Sequence, residues 1–134
     1  MAAGLGMADN WLNTLKNTSY AAGATLYMHL HKGDPGAAGT ANQSTNTDGP
    51  GKAITWGTLS GTDPRSLPIA ATLPSWTIAG VTGSEAITYM TVRTAATAGG
   101  GTFVYSFAVS SKTVSNGDVL NLTAHSVTLT PIAA

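Results

Sequence analysis

Glycine and proline interrupt this chain so often that little besides short strands fits between them. Sixteen glycines and six prolines stand in 134 residues. Glycine accepts dihedrals that other residues avoid, whereas proline fixes φ and withholds an N–H. The runs between these interruptions alternate. In residues 24–36, ATLYMHLHKGDPG, Leu26, Met28 and Leu30 alternate with Thr25, Tyr27, His29 and His31. That period of two predicts a strand with one apolar and one polar face, the histidines half-exposed on the latter. Gly33-Asp34-Pro35-Gly36 then stops the strand, with Asp34 in the role of an Asx-turn residue.

The same logic places further strands over residues 52–59, with Ile54 and Trp56 on one face, and after Pro74 within 69–80. Residues 86–94 carry apolar side chains on both faces and read as a central strand. Phe103, Tyr105, Phe107 and Val109 give the clearest period-two run, after a glycine-rich hairpin loop at 95–101. Asn116-Gly117-Asp118 marks a turn before strands at 119–123 and 127–131. Residues 61–68, GTDPRSLP, read as turn punctuation. Near the start, Asp9 or Asn10 caps a short helix over 11–16 with Trp11, Leu12 and Leu15 on its apolar side. The expected fold is therefore all-β, an antiparallel β-sandwich or jelly-roll-like domain with one short N-terminal helix. Residues 1–8 form a flexible extension and 9–134 a single domain.

Composition narrows the function classes. Charged residues are 9% of the chain, against about 25% in a typical soluble domain. Six basic residues balance six acidic ones, and neither sign clusters. A basic patch for nucleic acid or an anionic membrane is therefore not expected. No apolar run approaches the ~18 residues of a membrane span. A neutral surface gives little protection against self-association, which favours life inside an assembly. Cysteine is absent, which fits a chain made in a reducing cytoplasm and leaves no disulfide framework or thiolate metal site. The first residues lack the basic and apolar stretches of a signal peptide.

Catalytic and cofactor patterns are not found. His29 and His31 point to one side of a strand, roughly 7 Å apart, and with His125 would make a three-histidine set. Neither cysteine nor an acidic cluster accompanies them, so no metal is expected. The carboxylates lie singly at turns or caps, which does not suit paired acid–base chemistry. Gly99-Gly100-Gly101 lacks the Lys-Ser/Thr ending of a phosphate loop, and no Gly-x-Ser-x-Gly elbow occurs. No enzyme and no cofactor are expected. Trp56, Trp76 and Tyr89 offer a carbohydrate platform only if exposed; buried aromatic anchors are the simpler reading.

A wider pattern links these pieces. A short helix precedes Leu30-His31-Lys32-Gly33-Asp34-Pro35-Gly36, and an Ile54-Thr55-Trp56-Gly57 strand follows. An Ala95-to-Gly100 hairpin and Lys112-Thr113-Val114 leading to Gly117-Asp118 complete it. In this order the chain resembles the small β-rich virion structural proteins of tailed bacteriophages, of the tail-fibre, minor-tail or capsid-decoration type. It departs from them at Ala41-Asn42-Gln43-Ser44, where an acidic residue would be expected. The resemblance implies a virion protein made in the host cytoplasm. The preferred role is a capsid decoration or cement protein on the particle exterior, bound to the major capsid protein and homo-oligomeric, for instance a trimer. The alternative is a minor tail or tail-fibre-associated protein, followed by a carbohydrate-binding host-adhesion module. Partner contacts are expected at Trp11, Leu12 and Leu15 of the helix, at Asp34 and Pro35 of the turn, and at Asn42 and Gln43 of the 37–51 loop, which orders on binding.

Overall fold

The computed structural model describes residues 25–62, 64–70 and 73–129. Among them every regular element is a strand: β1 Leu26–His31, β2 Gly51–Ile54, β3 Arg65–Pro68, β4 Ser75–Thr77, β5 Ser84–Arg93, β6 Phe103–Ser115, β7 Val119–Asn121 and β8 Ser126–Leu129. All pairings are antiparallel, in a four-stranded sheet of order β2-β1-β5-β6 and two-stranded sheets β3-β8 and β4-β7. The described part of the protein is all-β. The expected helix over 11–16, with Trp11, Leu12 and Leu15, lies outside the described residues.

The chain divides into two compact units. One joins Thr25–Ile54 to Pro74–Asn121, and the other joins Thr55–Leu73 to the segment that follows Asn121. In the larger unit, β1 and β5 form the centre of the sheet. Register sets Met28 opposite Val92 and Leu30 opposite Met90, while His29 faces Thr91 and Tyr27 faces Arg93. Opposed residues share a face. One face of these two strands is thus apolar, and the other carries His29, His31, Thr91 and Arg93.

Both faces are buried. Met28, Leu30, Met90 and Val92 are at most 4% exposed, and so are His29, His31, Thr91 and Arg93. This corrects the expectation of a half-exposed histidine face: alternation reports polarity, but loops 33–43 and 94–102 close over the polar side. Trp76, Ile78 and Val81 add buried apolar bulk from β4 and the segment after it.

Strand β6 runs from Phe103 to Ser115, and two irregularities accommodate its length. Between Val92 and Arg93 the partner skips from Tyr105 to Phe103, a one-residue bulge. Between Ile87 and Tyr89 the partner runs from Lys112 to Ala108, so two extra residues oppose Thr88. The first bulge changes the side on which the chain presents its residues. Phe103 therefore sits with Arg93, while Tyr105 and Phe107 lie with Val92 and Met90, their rings 6.1 Å apart. The clearest alternating run in the sequence is divided between two faces.

In the smaller unit β3 pairs β8 with Leu67 fully buried, and Trp56 bridges Ile69. Sequence reading took β3 for a turn because Pro64 and Pro68 flank it. In a two-stranded ladder, proline at a strand end withholds no bond that a central strand would need. The run 52–59 stops as a strand at Ile54, so Trp56 belongs to a different ladder from Ile54.

Candidate functional site

The polar face of the large sheet is organised by one cation. Arg93 is 3% exposed and pairs with no carboxylate among the described residues; backbone carbonyls hold its charge. Its Nε donates to Gly100 O at 2.8 Å, and Nη1 donates to Gly39 O at 2.9 Å and Ala38 O at 3.3 Å. Nη2 reaches Gly99 O at 3.1 Å and Gly101 O at 3.2 Å. The Phe103 ring lies 6.0 Å from the guanidinium carbon, within reach of a cation–π contact. One side chain therefore ties two loops, 33–43 and 94–102, to the sheet. Arginine suits this role because its planar fork spreads several donors in fixed directions.

The histidines complete the arrangement. His29 Nε2 lies 2.8 Å from Ala95 O, and His31 Nδ1 lies 2.8 Å from Ala41 O. His31 Nδ1 must donate to that carbonyl, which leaves Nε2 to accept from Thr91 Oγ1 at 3.0 Å. Burial lowers the pKa of both rings, and the neighbouring Arg93 charge lowers them further, against the raising effect of the carbonyl acceptors. Both histidines are therefore neutral at pH 7. Two glycines permit the close approach. A Cβ on Gly39 would stand 2.3 Å from the Phe103 ring at φ +66°, and one on Gly51 would stand 2.6 Å from His29 Nε2.

Above this layer the 33–43 loop holds itself. Asp34 Oδ1 accepts from Gly36 N at 2.8 Å, the expected Asx turn. Asn42 Nδ2 donates to Asp34 O at 2.9 Å, and Lys32 N donates to Asn42 O at 2.7 Å. Asn42 takes φ +54°, a left-handed conformation that asparagine tolerates better than most residues. Gln43 bridges His31. Of the residues expected to touch a partner, Asp34, Pro35, Asn42 and Gln43 thus come together in one loop. Asp34 and Asn42 are exposed and Pro35 is buried. Trp11, Leu12 and Leu15 lie outside the described residues.

The rest of the long loop is pinned as well, contrary to an element that orders only on binding. Glu85, 8% exposed, accepts from Ser44 Oγ and Thr45 Oγ1, each at 2.6 Å, and from Thr45 N. Lys32 Nζ stands 3.4 Å from the same carboxylate. Burial pushes the Glu85 pKa up, but these donors and the lysine outweigh it and hold it below the usual range. Asn46 Oδ1 accepts from Ala79 N at 3.0 Å, and Asp48 Oδ2 accepts from Thr77 N at 2.7 Å.

Cavities open on the surface of the described residues. One of about 510 Å³ lies among Lys32, Thr45, Gly80, Thr82, Ser84 and Glu85. Another, about 600 Å³, lies among Pro68, Ile69, Leu73, Thr123, His125 and Ser126. Among the described residues no three His, Cys, Asp or Glu side chains converge as a metal set. Trp76 is fully buried and Trp56 9% exposed, so neither indole is available to stack on a sugar.

Sequence reading missed Arg93, Glu85 and Phe103. A visible signal was Arg93 itself: a cation ending an apolar strand, followed by Gly99-Gly100-Gly101, whose backbone can approach closely and present carbonyls.

Residues 6–130 match the model of the family described as podophage GP4 fiber I protein gp80, and the chain belongs to that family. A comparison with curated proteins finds no match. The chain is accordingly a bacteriophage virion structural protein, as its resemblance implied, and its location is the virion.

Proposed function

We propose that this chain, as a member of the phage fibre I family, is a subunit of a virion fibre. The family match over residues 6–130 carries the reading. It shifts the weight from capsid decoration, which rested on composition and small size, to the fibre alternative. Both features suit a fibre subunit equally well.

A fibre subunit needs a rigid body and defined contacts, and no reaction. Supporting this are the loops pinned through Arg93 and Glu85. In this reading the protein is not an enzyme and binds neither nucleic acid nor membrane. Its partners are further copies of itself, with a trimer as the simplest arrangement, and a neighbouring virion protein. Contacts run through the exposed rim of the 33–43 loop at Asp34 and Asn42, beside Pro35 and Gln43, and through Trp11, Leu12 and Leu15. Within the larger unit, the four-stranded sheet and the β4-β7 pair act as two layers of a sandwich.

The test is the copy number per purified particle, measured by quantitative mass spectrometry against the major capsid protein, together with antibody labelling in electron micrographs. A small fixed number at fibre positions is the expected result. A number close to that of the capsid protein, with label over the shell, would restore the decoration role. Absence from particles would end both readings.

A further inference from the structure

Three nitrogen bases or cations, His29, His31 and Arg93, share one buried face, and all of them hold loops. His29 holds 94–102 through Ala95; His31 holds 33–43 through Ala41; Arg93 holds both. The loops contribute no charge to balance them. Residues 36–43 and 94–102 contain no ionisable side chain. From the strands, Tyr27 and Tyr89 face this layer as register partners of Arg93 and His31. On β2, Gly51 lies opposite His29, and Lys52 lies opposite Met28 on the other face, paired with Asp48. On β6, Phe103 and Ala108 share the polar face. Of the carboxylates on adjoining segments, Asp34 is engaged with the Gly36 N–H, and Glu85 with Ser44, Thr45 and Lys32.

We propose that this layer is a proton-operated latch, in which protonation of His29 and His31 releases loops 33–43 and 94–102 together while the strands beneath stay paired. Two features of the geometry support it. First, protonated His31 gains an Nε2–H aimed at Thr91 Oγ1, which currently donates to that nitrogen; the buried hydroxyl must turn and find another acceptor. Second, each added charge joins a guanidinium whose counter-groups, among the described residues, are carbonyl dipoles and the face of Phe103, in a site closed to water. The lowered pKa of both rings agrees with this. The sign follows. With the loops lifted, each histidine regains a pKa of about 6.5 and binds protons that the closed layer refuses, so opening gains as pH falls below that value. The latch does not depend on the fibre role, since it lies within one chain.

Hydrogen–deuterium exchange on the full chain at pH 7.0 and 5.5, corrected for intrinsic rates, tests the proposal. The opening constant of amides in 33–43 and 94–102 should rise about tenfold for each histidine that must be neutral, while Met90 and Val92 amides stay protected. His29→Gln with His31→Asn keeps a donor near each carbonyl and titrates nowhere in this range; its loops should exchange equally at both pH values. Three results would overturn the latch: loops indifferent to pH in the native protein, an equally steep response in the double variant, or strands opening in step with loops. Should the double variant not fold, an NMR titration of the native imidazoles decides. Both rings titrating near 6.5 with the loops still protected would refute it.

Discussion

The two faces of β1 and β5 are buried to the same depth by opposite chemistry. Met28, Leu30, Met90 and Val92 on one side exclude water without direction, so any well-fitting apolar neighbour satisfies them. On the other side His29, His31, Thr91 and Arg93 are satisfied only by particular oxygens at particular places. The apolar face supplies cohesion. The polar face supplies position, because a guanidinium bound to Ala38, Gly39, Gly99, Gly100 and Gly101 fixes where two loops lie. In the proposed fibre role, a subunit that presents the same surface in every copy has use for both.

Substitutions separate the two kinds of burial, and chemical denaturation reads each one. Arg93→Met should cost most, about 3–5 kcal/mol, because the carbonyls around a buried site lose a charged donor and two loops lose their anchor. A loss below about 1 kcal/mol would mean the polar face holds nothing. Leu30→Ala on the apolar face should cost about 3 kcal/mol through lost burial and the cavity left behind, with loop exchange rates unchanged. Loops freed by that change would erase the distinction between the faces. Gly39→Ala should cost about 2 kcal/mol, since the new Cβ meets Phe103 at an unfavourable φ. Restoring stability with Phe103→Leu would identify the ring as the obstacle.

Glu85 gives a pH-dependent comparison. Its folded pKa is lowered, so its contribution is complete above its unfolded value of about 4.5 and is lost as pH falls through the lower folded value. Glu85→Gln should therefore flatten stability between about pH 5 and 3, at a cost near 1–2 kcal/mol at neutral pH. An unchanged acid limb would assign it to other carboxylates. The smallest effect is expected from Phe107→Ala, about 1 kcal/mol, because Phe107 is half-buried. A loss near 3 kcal/mol would place it in the core.

Local chemistry was legible in the sequence wherever neighbours in the chain decide the outcome. The β1 alternation, the Asp34 turn, the 95–101 hairpin and the Asn116-Gly117 turn all follow from adjacent residues, and the structure has each of them. What depended on distant contacts was not legible. The burial of His29 and His31 depends on loops that close over them from 10 and 66 residues away. The role of Arg93 depends on carbonyls, which have no letter in a sequence. β3 was hidden because prolines that forbid a central strand do not forbid a strand end. Of the proposed contact residues, Asp34 and Asn42 were readable as turn formers, and their meeting through Asn42 Nδ2 was not.

The extra residues of β6 set a rule for how the length of this chain can vary. Opposite Thr88 the strand carries a surplus of two, an even number, and so Val114 still returns to the side of Glu85. Trimming both would shorten the strand and leave every later side chain on its present side. Trimming one would invert everything from Lys112 to Ser115, turning the buried Val114 outward. Opposite Arg93 the surplus is one, and there the inversion is what delivers Phe103 to the guanidinium. Descendants of this sequence can therefore gain or lose residues near Ser110 in pairs, whereas the step at Phe103 is free to change only if Arg93 changes with it.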